Sequence, residues 1–361
     1  MIIEAGYVVY KGKLLENAKL ELPGKGDYYF ETVIVPGFSD SHAHPQVIDV
    51  GRGGWRNSME WIRNRELKVN EASLRADVEL SSKLAKVTLL LSALEGTTLI
   101  AMVGSLKANL RAVNDLVRRP RVVLMPTLMS IKGWDRLEHI KSYYSSLNGI
   151  ENSFLRLGLF IHSISLTDAL EIVKAYEYSR RRNLPLGIHL SEGEPELKRL
   201  ISLIGTKQAN IVGVHCIENE DYNSYGIKVV HCPLSNLYLY RRTLGDVERI
   251  AALGSDWPLL TGSMLNQYKA ALRIHGKRLL LLRKATLGGY EAYHIDCDGD
   301  LIAFDEGINR LFIGNVKTPA YVFVKSKPIV IEKSVGGLRL NDVIKIRDEL
   351  IKKALERHGV Y

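Results

Sequence analysis

The sequence has few cysteines and lacks a long apolar run. Its three cysteines, Cys216, Cys232 and Cys297, are odd in number and form no C-x-x-C motif. Such a set argues against a disulfide framework and fits a reducing compartment. No apolar stretch approaches the roughly 20 residues that a membrane span needs, and the first residues lack the basic region and apolar run of a signal peptide. We therefore expect a cytoplasmic protein with no membrane partner.

The sequence also lacks a concentrated block of charge. Its formal net charge is +9, from 49 Lys and Arg against 40 Asp and Glu. The basic residues form only short clusters, and aromatic residues do not alternate with them as in proteins that bind single-stranded nucleic acid. We expect no nucleic-acid partner, although the positive field would attract an anionic small molecule. At 361 residues, the chain is long enough for one large α/β barrel or two medium domains.

Between residues 33 and 295, short apolar runs typical of strands alternate with longer amphipathic stretches typical of helices. Eight β/α repeats indicate an α/β protein with a parallel (β/α)8 TIM barrel rather than an open doubly wound sheet. The open sheet would normally carry a glycine-rich phosphate loop after its first strand, where this chain has histidines. The predicted barrel strands are 33–35, 98–103, 122–127, 157–162, 186–190, 211–215, 228–231 and 251–255.

The two ends of the chain differ from its middle. Residues 1–32 and 296–335 contain short β runs broken by turn residues, and we expect them to meet in one small β-sandwich beside the barrel. Residues 336–361 include an amphipathic stretch that predicts a C-terminal helix. The predicted division is therefore a composite β-sandwich of 1–32 plus 296–335, a metal-dependent barrel of 33–295 and a helix within 336–361.

Histidines mark the ends of the predicted barrel strands. His42 and His44 are two residues apart, a spacing that places both imidazoles on one face of a strand end. Because the carboxyl ends of barrel strands open onto one face, where active sites lie, imidazoles joined by a carboxylate there predict a divalent metal site. Each residue alone could be an ordinary polar side chain, but their joint placement favours a site. The strand-end set is His42, His44, His162, His189, His215, His231 and Asp256.

Five motifs, in this order, resemble those of the amidohydrolase superfamily. They are PGFSDSHAH at residues 36–44, HLSE at 189–192, VHC at 214–216, HCPLSN at 231–236 and GSD at 254–256. Within the superfamily they are most similar to the branch of aminohydrolases acting on nucleobase-like rings. That branch includes guanine and adenosine-derivative deaminases and triazine chlorohydrolases. The resemblance covers the barrel and both flanks, and the five motifs together are highly specific.

The resemblance implies a set of site residues and a metal cofactor. One divalent ion is expected, with zinc preferred and iron as the alternative, because the fourth strand lacks the lysine that bridges two metals in other members. The implied metal ligands are His42, His44, His189 and Asp256. The implied catalytic residues are Glu192 as proton shuttle, His215 as the residue that orients water or stabilises the tetrahedral oxygen, and Asp256. The predicted substrate-binding residues are His162, His231, Asn236 and Trp61.

A metal-dependent hydrolase acting on C–N bonds is the predicted function. Bound Zn²⁺ or Fe²⁺ lowers the pKa of its water to about 7, so that hydroxide forms at neutral pH. We expect hydrolytic deamination of an amino-substituted heterocycle or nucleoside by that hydroxide, with Glu192 moving protons. The alternative is hydrolysis of a cyclic amide or halogenated ring at the same centre, and a third hypothesis is a barrel without activity. A homodimer is the expectation from the superfamily. Glu218 and Trp257 depart from the branch, so the resemblance does not fix the substrate.

Overall fold

Strands and helices alternate through the middle of the chain in the computed structural model, which describes residues 1–10, 13–147 and 149–360. The strands of the described part are β1 (Ile2–Tyr10), β2 (Lys13–Glu21), β3 (Asp27–Pro36), β4 (Phe38–Ala43), β5 (Thr97–Gly104), β6 (Arg121–Leu128), β7 (Leu155–Leu157), β8 (Leu159–Ile161), β9 (Leu186–Leu190), β10 (Val212–His215), β11 (Lys228–His231), β12 (Ile250–Leu253), β13 (Leu301–Phe304), β14 (Tyr321–Val324), β15 (Lys327–Val330), β16 (Ser334–Val335) and β17 (Leu338–Arg339).

The helices pack outside the barrel or follow the strand ends. None of those in the described residues combines the length and hydrophobicity that crossing a membrane requires. They are α1 (Ser58–Asn64), α2 (Glu71–Ala76), α3 (Val78–Leu94), α4 (Leu106–Asp115), α5 (Leu137–Ser146), α6 (Ala169–Arg182), α7 (Leu197–Ile204), α8 (Pro233–Tyr240), α9 (Pro258–Thr261), α10 (Met264–His275), α11 (Arg278–Thr286), α12 (Gly288–Ala292), α13 (Ile308–Phe312) and α14 (Leu340–His358).

Eight strands among the described residues form a closed parallel barrel. Their order is β4, β5, β6, β8, β9, β10, β11 and β12, with β7 also pairing with β6. The ring closes through a parallel bridge between Ala43 and Asp256, where the Asp256 amide donates to the His42 carbonyl at 2.8 Å. β5 and β6 are buried along their whole length, as expected for strands covered on both faces. The predicted (β/α)8 barrel is therefore confirmed.

The first barrel strand begins later than the sequence predicts. Residues 33–35 form the end of β3, which belongs to the sheet made by the chain ends, and β4 (Phe38–Ala43) is the barrel strand. Gly37 separates the two strands, and a side chain there would overlap Thr98. The apolar pattern was misleading because the end of β3 is as buried as a barrel strand, whereas β4 is polar although it is buried throughout.

The chain ends meet beside the barrel, as predicted. They form one six-stranded sheet in the order β15, β14, β13, β3, β1, β2, followed by a separate hairpin of β16 and β17. β13 pairs antiparallel with β3, which places Ile302 opposite Val35. The division of the chain into the three predicted domains remains a prediction.

Apolar side chains fill the inside of the barrel below the carboxyl ends of its strands. An inner cluster joins residues of β5, β6, β8, β10, β11 and β12, including Val123, Met125, Phe160 and Val214. A larger cluster lies between the strands and the surrounding helices. Because such interiors are close-packed, the cavity of interest lies at the carboxyl ends of the strands.

Candidate metal centre

The four predicted ligands converge at the mouth of the barrel. One donor atom from each of His42, His44, His189 and Asp256 lies within 4.8 Å of the others. The His189 Nε2 atom is 3.1 Å from His42 Nε2 and 3.3 Å from His44 Nε2. Asp256 Oδ1 is 3.4 Å from His42 Nε2. Tetrahedral zinc with bonds of 2.0–2.1 Å separates its ligand atoms by about 3.4 Å, so these distances fit one ion among the four donors.

The electrostatics of the donors also fit a cation. Burial lowers the pKa values of His42, His44 and His189, which keeps these imidazoles neutral and able to ligate a metal. Burial alone would raise the pKa of Asp256, but its hydrogen bond with His42 and the nearby imidazoles hold that pKa well below its usual range. Asp256 Oδ2 is buried without a hydrogen-bond partner among the described residues. Such an atom is costly unless a ligand satisfies it.

Unusual backbone conformations occur at two site residues, His215 and Asp256, and at Ser191, which precedes Glu192. Ser191, His215 and Asp256 have positive φ angles of 55°, 71° and 60°. Residues other than glycine adopt this region rarely, at a cost of about 1–3 kcal/mol each, and such strain clusters at functional sites. The conformation interrupts the alternation of side chains along a strand, so it changes where the last residue of a strand points.

Asp40 joins the first and last strands behind the ligands. Its Oδ1 atom accepts hydrogen bonds from the amides of Ser255 at 2.9 Å and His42 at 3.3 Å. Burial raises the pKa of Asp40 to about 7. The side chain lies outside the group of four converging donors. It therefore supports the backbone from which His42 and Asp256 project.

Glu192 and His215 form a pair beside the four ligands. Glu192 follows His189 by three residues, and its Oε1 atom is 3.4 Å from His215 Nε2. Burial raises the pKa of Glu192, so this carboxyl holds a proton more readily than an exposed one. His215 Nδ1 is 2.7 Å from Asn236 Oδ1, and the Asn236 amide group donates to the Thr243 hydroxyl at 3.2 Å. Because the amide oxygen only accepts, His215 carries its hydrogen on Nδ1 and turns Nε2 to Glu192.

A cavity of about 160 Å³ lies in front of these residues. Its polar side includes His44, His189, Glu192, His215 and Asp256. The remaining wall is mostly apolar and aromatic. It is formed by Val47, Val50, Trp61, Ile62, Met129, Ile131, Trp134, Leu166 and Trp257, together with His162, Arg65 and Glu71.

Two arginines beside the aromatic residues of the cavity form ion pairs. The Arg65 guanidinium lies 4.6 Å from the centre of the Trp61 ring and forms an ion pair with Glu71 at 2.5 Å. Arg75 lies 4.4 Å from the centre of the Trp134 ring and pairs with Asp135. Stacking and pairing satisfy both guanidinium groups. Each guanidinium therefore lies over one face of a tryptophan of the cavity wall.

The structure brings some of the predicted substrate-binding residues to the cavity. Trp61 and His162 line it, and burial lowers the pKa of His162 to about 3, which leaves its ring neutral. Neither His231 nor Asn236 is among the described residues of the lining. The His231 ring packs at 5.5 Å from that of His275, while Asn236 contacts His215.

Sequence reasoning missed Tyr240 and Trp134. The Tyr240 hydroxyl donates a hydrogen bond to Glu192 Oε1 at 2.9 Å. Its spacing of four residues from Asn236 was the available signal, because such residues share a face if the segment is helical, but no helix was predicted after that strand. Trp134 follows β6 in a loop of no regular pattern, so nothing in its local sequence indicated a role.

No family model matches the chain, but two curated proteins do by sequence. A 5'-deoxyadenosine deaminase of Methanocaldococcus jannaschii is 24% identical over 255 residues, which cover 63% of this chain and 57% of that protein. A 5-methylthioadenosine/S-adenosylhomocysteine deaminase of Acetivibrio thermocellus is 22% identical over 225 residues, covering 57% and 52%. The chain thus matches just over half the length of these relatives.

Solved structures resemble the chain along nearly its whole length. An adenosine deaminase from Xanthomonas campestris with bound zinc has a TM-score of 0.81 at 15% identity and covers 98% of both chains. An atrazine chlorohydrolase from Arthrobacter aurescens, complexed with zinc, has a TM-score of 0.78 at 15% identity, covering 97% of this chain and 99% of the other. The aminofutalosine deaminase of Helicobacter pylori has a TM-score of 0.65 at 15% identity, covering 91% and 99%.

The barrel, its end sheet and the likeness to these structures define a protein of the amidohydrolase fold. The five ordered motifs and the sequence relatives agree with that fold. The chain therefore has the fold of the amidohydrolases, and its sequence is similar to that of proteins named as deaminases.

Proposed function

We propose that the protein is a metal-dependent aminohydrolase that deaminates an amino-substituted heterocycle or nucleoside. One observation carries the proposal: four donors suited to a divalent ion meet beside Glu192 and His215 at an aromatic-walled cavity. The names of the curated relatives, which are deaminases of adenosine derivatives, support this reaction type. Zinc is the ion we propose, as a single ion, because two similar structures carry zinc and the four donors surround one point.

An ion held by His42, His44, His189 and Asp256 would act as a Lewis acid and lower the pKa of water to about 7. Glu192 would take one proton from the attacking water and deliver it to the ring nitrogen. It would then take the second proton, from the hydroxyl on the tetrahedral carbon, and deliver it to the leaving amine. A C–O bond forms, the C–N bond breaks, and ammonia leaves with the transferred protons. His215 would orient the reacting oxygen through Nε2, because Asn236 occupies Nδ1.

The cavity favours a planar ring. Its volume of about 160 Å³ is close to the roughly 150 Å³ of an engineered cavity that holds benzene. A ring therefore fills most of it, and a sugar or other substituent must extend toward the mouth. Trp61, Trp134 and His162 supply faces and edges against which such a ring can stack.

Ammonia release from a substrate panel, with bound metal measured in parallel, tests the proposal. The panel contains purines, pyrimidines, pterins and adenosine derivatives, and cyclic amides and halogenated triazines test the alternative hydrolase. We expect Glu192→Gln to keep its zinc and to lose about 10²- to 10⁴-fold in kcat. Full turnover by that variant, or a native protein that releases no ammonia from any compound, would refute the proposal.

We also infer a cytoplasmic location from the cysteine content and a homodimer from the superfamily resemblance. Sedimentation of the purified protein measures the second inference directly. A monomer at micromolar concentration would contradict it.

A further inference from the structure

Helix α8 places two polar side chains against the Glu192–His215 pair. α8 (Pro233–Tyr240) follows β11 directly, with proline in its first turn. Asn236 and Tyr240 are four residues apart and therefore lie on one face of the helix. Asn236 accepts the hydrogen of His215 Nδ1 at 2.7 Å, and the Tyr240 hydroxyl reaches Glu192 Oε1 at 2.9 Å.

The surroundings of Tyr240 hold its ring in one place. The side chain is only 5% exposed and belongs to a cluster with Val50, Leu239 and Trp257. Burial raises the pKa of Tyr240 well above its usual range, as does the adjacent Glu192 carboxyl. The phenol therefore stays protonated and donates a hydrogen bond to Glu192.

We propose that Tyr240 is a positioning residue. Its hydroxyl holds Glu192 Oε1 in a hydrogen bond and leaves Oε2 to exchange protons with the substrate. This inference rests on the proposed function. Both contacts of the carboxyl, from Tyr240 and from His215 Nε2 at 3.4 Å, fall on the same oxygen. The Glu192 side chain also lines the cavity, so the other oxygen is the one that a bound ring can reach.

Fixing one oxygen matters because the last torsion of a glutamate is broad. Without a partner, the carboxyl of Glu192 would rotate among many orientations. A reacting group that moves by about 1 Å can lose about 10²-fold in rate. The tyrosine acts on Glu192 alone, and its own hydrogen stays on its oxygen throughout.

Removing the hydroxyl alone tests the inference. In the zinc-loaded full chain, Tyr240→Phe should lower kcat about 10- to 100-fold while KM and zinc content stay near native values. The acidic limb of the kcat/KM profile should move to higher pH, because a carboxylate that loses a hydrogen-bond donor has a higher pKa. Tyr268→Phe is the matched control, since Tyr268 is buried and donates to the Leu311 carbonyl at 3.2 Å, away from the site. An equal loss in both variants would overturn the assignment.

A double-mutant cycle shows whether the hydroxyl acts through Glu192. The Tyr240→Phe loss should shrink in a Glu192→Asp background, because the shorter carboxylate no longer depends on the phenol. A loss of the same factor in both backgrounds contradicts the inference.

A measurement without substrate separates this inference from the proposed function. Infrared difference spectra, with Glu192→Gln as reference, follow the titration of the Glu192 carboxyl in the zinc-loaded protein. Tyr240→Phe should shift that titration to higher pH, and an unchanged titration overturns the inference even if the protein deaminates its substrate. Absence of ammonia release from every compound would refute the proposed function without altering this readout.

Discussion

Strand alternation decides which strand-end histidines reach the site. Val230 packs inside the barrel, so its neighbour His231 faces outward together with Val229. Val214 also packs inside, and His215 would likewise face outward, but its φ of 71° turns the ring to the cavity. The position of a histidine at a strand end is thus visible in the sequence. Its direction depends on a backbone conformation that the sequence does not reveal.

The different directions of the strand-end histidines predict different effects for substitutions of His189 and His231. His189→Asn should lose bound zinc, because a neutral amide replaces one of four donors. His231→Asn should keep its zinc, because its ring packs on His275 instead. Zinc per chain, measured by elemental analysis on protein with native circular dichroism, decides the matter. Equal zinc in the two variants would contradict the ligand assignment.

Elements that are buried on both faces were predicted best. The predicted strands 186–190 and 228–231 coincide with β9 and β11, because apolar runs between glycine, proline or charged residues mark central parallel strands. The first barrel strand was misplaced because β4 has a polar sequence, FSDSHA, whose side chains hold the site. Local hydrophobicity is lowest where function demands polar residues. A functional strand is therefore the one most easily missed.

The Asp77 carboxylate links the end of the C-terminal helix α14 to the start of α3. Asp77 begins α3 by accepting a hydrogen bond from the Leu80 amide at 3.0 Å. The same carboxylate contacts Arg357 at 3.2 Å and His358 at 3.3 Å, at the end of α14. The Leu80 amide, followed by His358 and Arg357, lowers the pKa of Asp77. One side chain thereby couples the start of one helix to the end of another.

The lowered pKa predicts an acid-sensitive contribution to stability. A group with a depressed pKa in the folded state stabilises the protein above its unfolded pKa, about 3.9 for Asp, and loses this effect as pH falls through the folded pKa. Asp77→Asn, which still caps a helix, should be less stable than the native protein by about 1 kcal/mol at neutral pH. The difference should vanish in strong acid. Urea unfolding at several pH values measures it, and a difference independent of pH would rule out the carboxylate as its source.

At the scale of the whole molecule, contacts distant in sequence complete the fold. The ends of the chain were predicted to meet because both have short β runs, and β13 does pair with β3. Their common six-stranded sheet and its register could not be read from the sequence, since pairing across more than 250 residues leaves no local pattern. The four converging donors could be predicted only because five motifs resemble, in their order, those of the amidohydrolase superfamily. Their convergence depends on barrel closure at Ala43 and Asp256.

Because the four donors come from β4 and the residue after it, from β9 and from the residues after β12, a bound ion would link strands on different sides of the barrel. An ion that binds only the folded state at 1,000 times its Kd stabilises that state by about 4 kcal/mol. Adding zinc to chelator-treated protein should therefore raise Tm by about 5–10 °C. His189→Asn should show a much smaller rise under the same conditions, and Mg²⁺, which prefers octahedral oxygen ligands, should have little effect on either protein. If the native protein has the same Tm in chelator as in zinc, the metal does not stabilise the contacts between these strands.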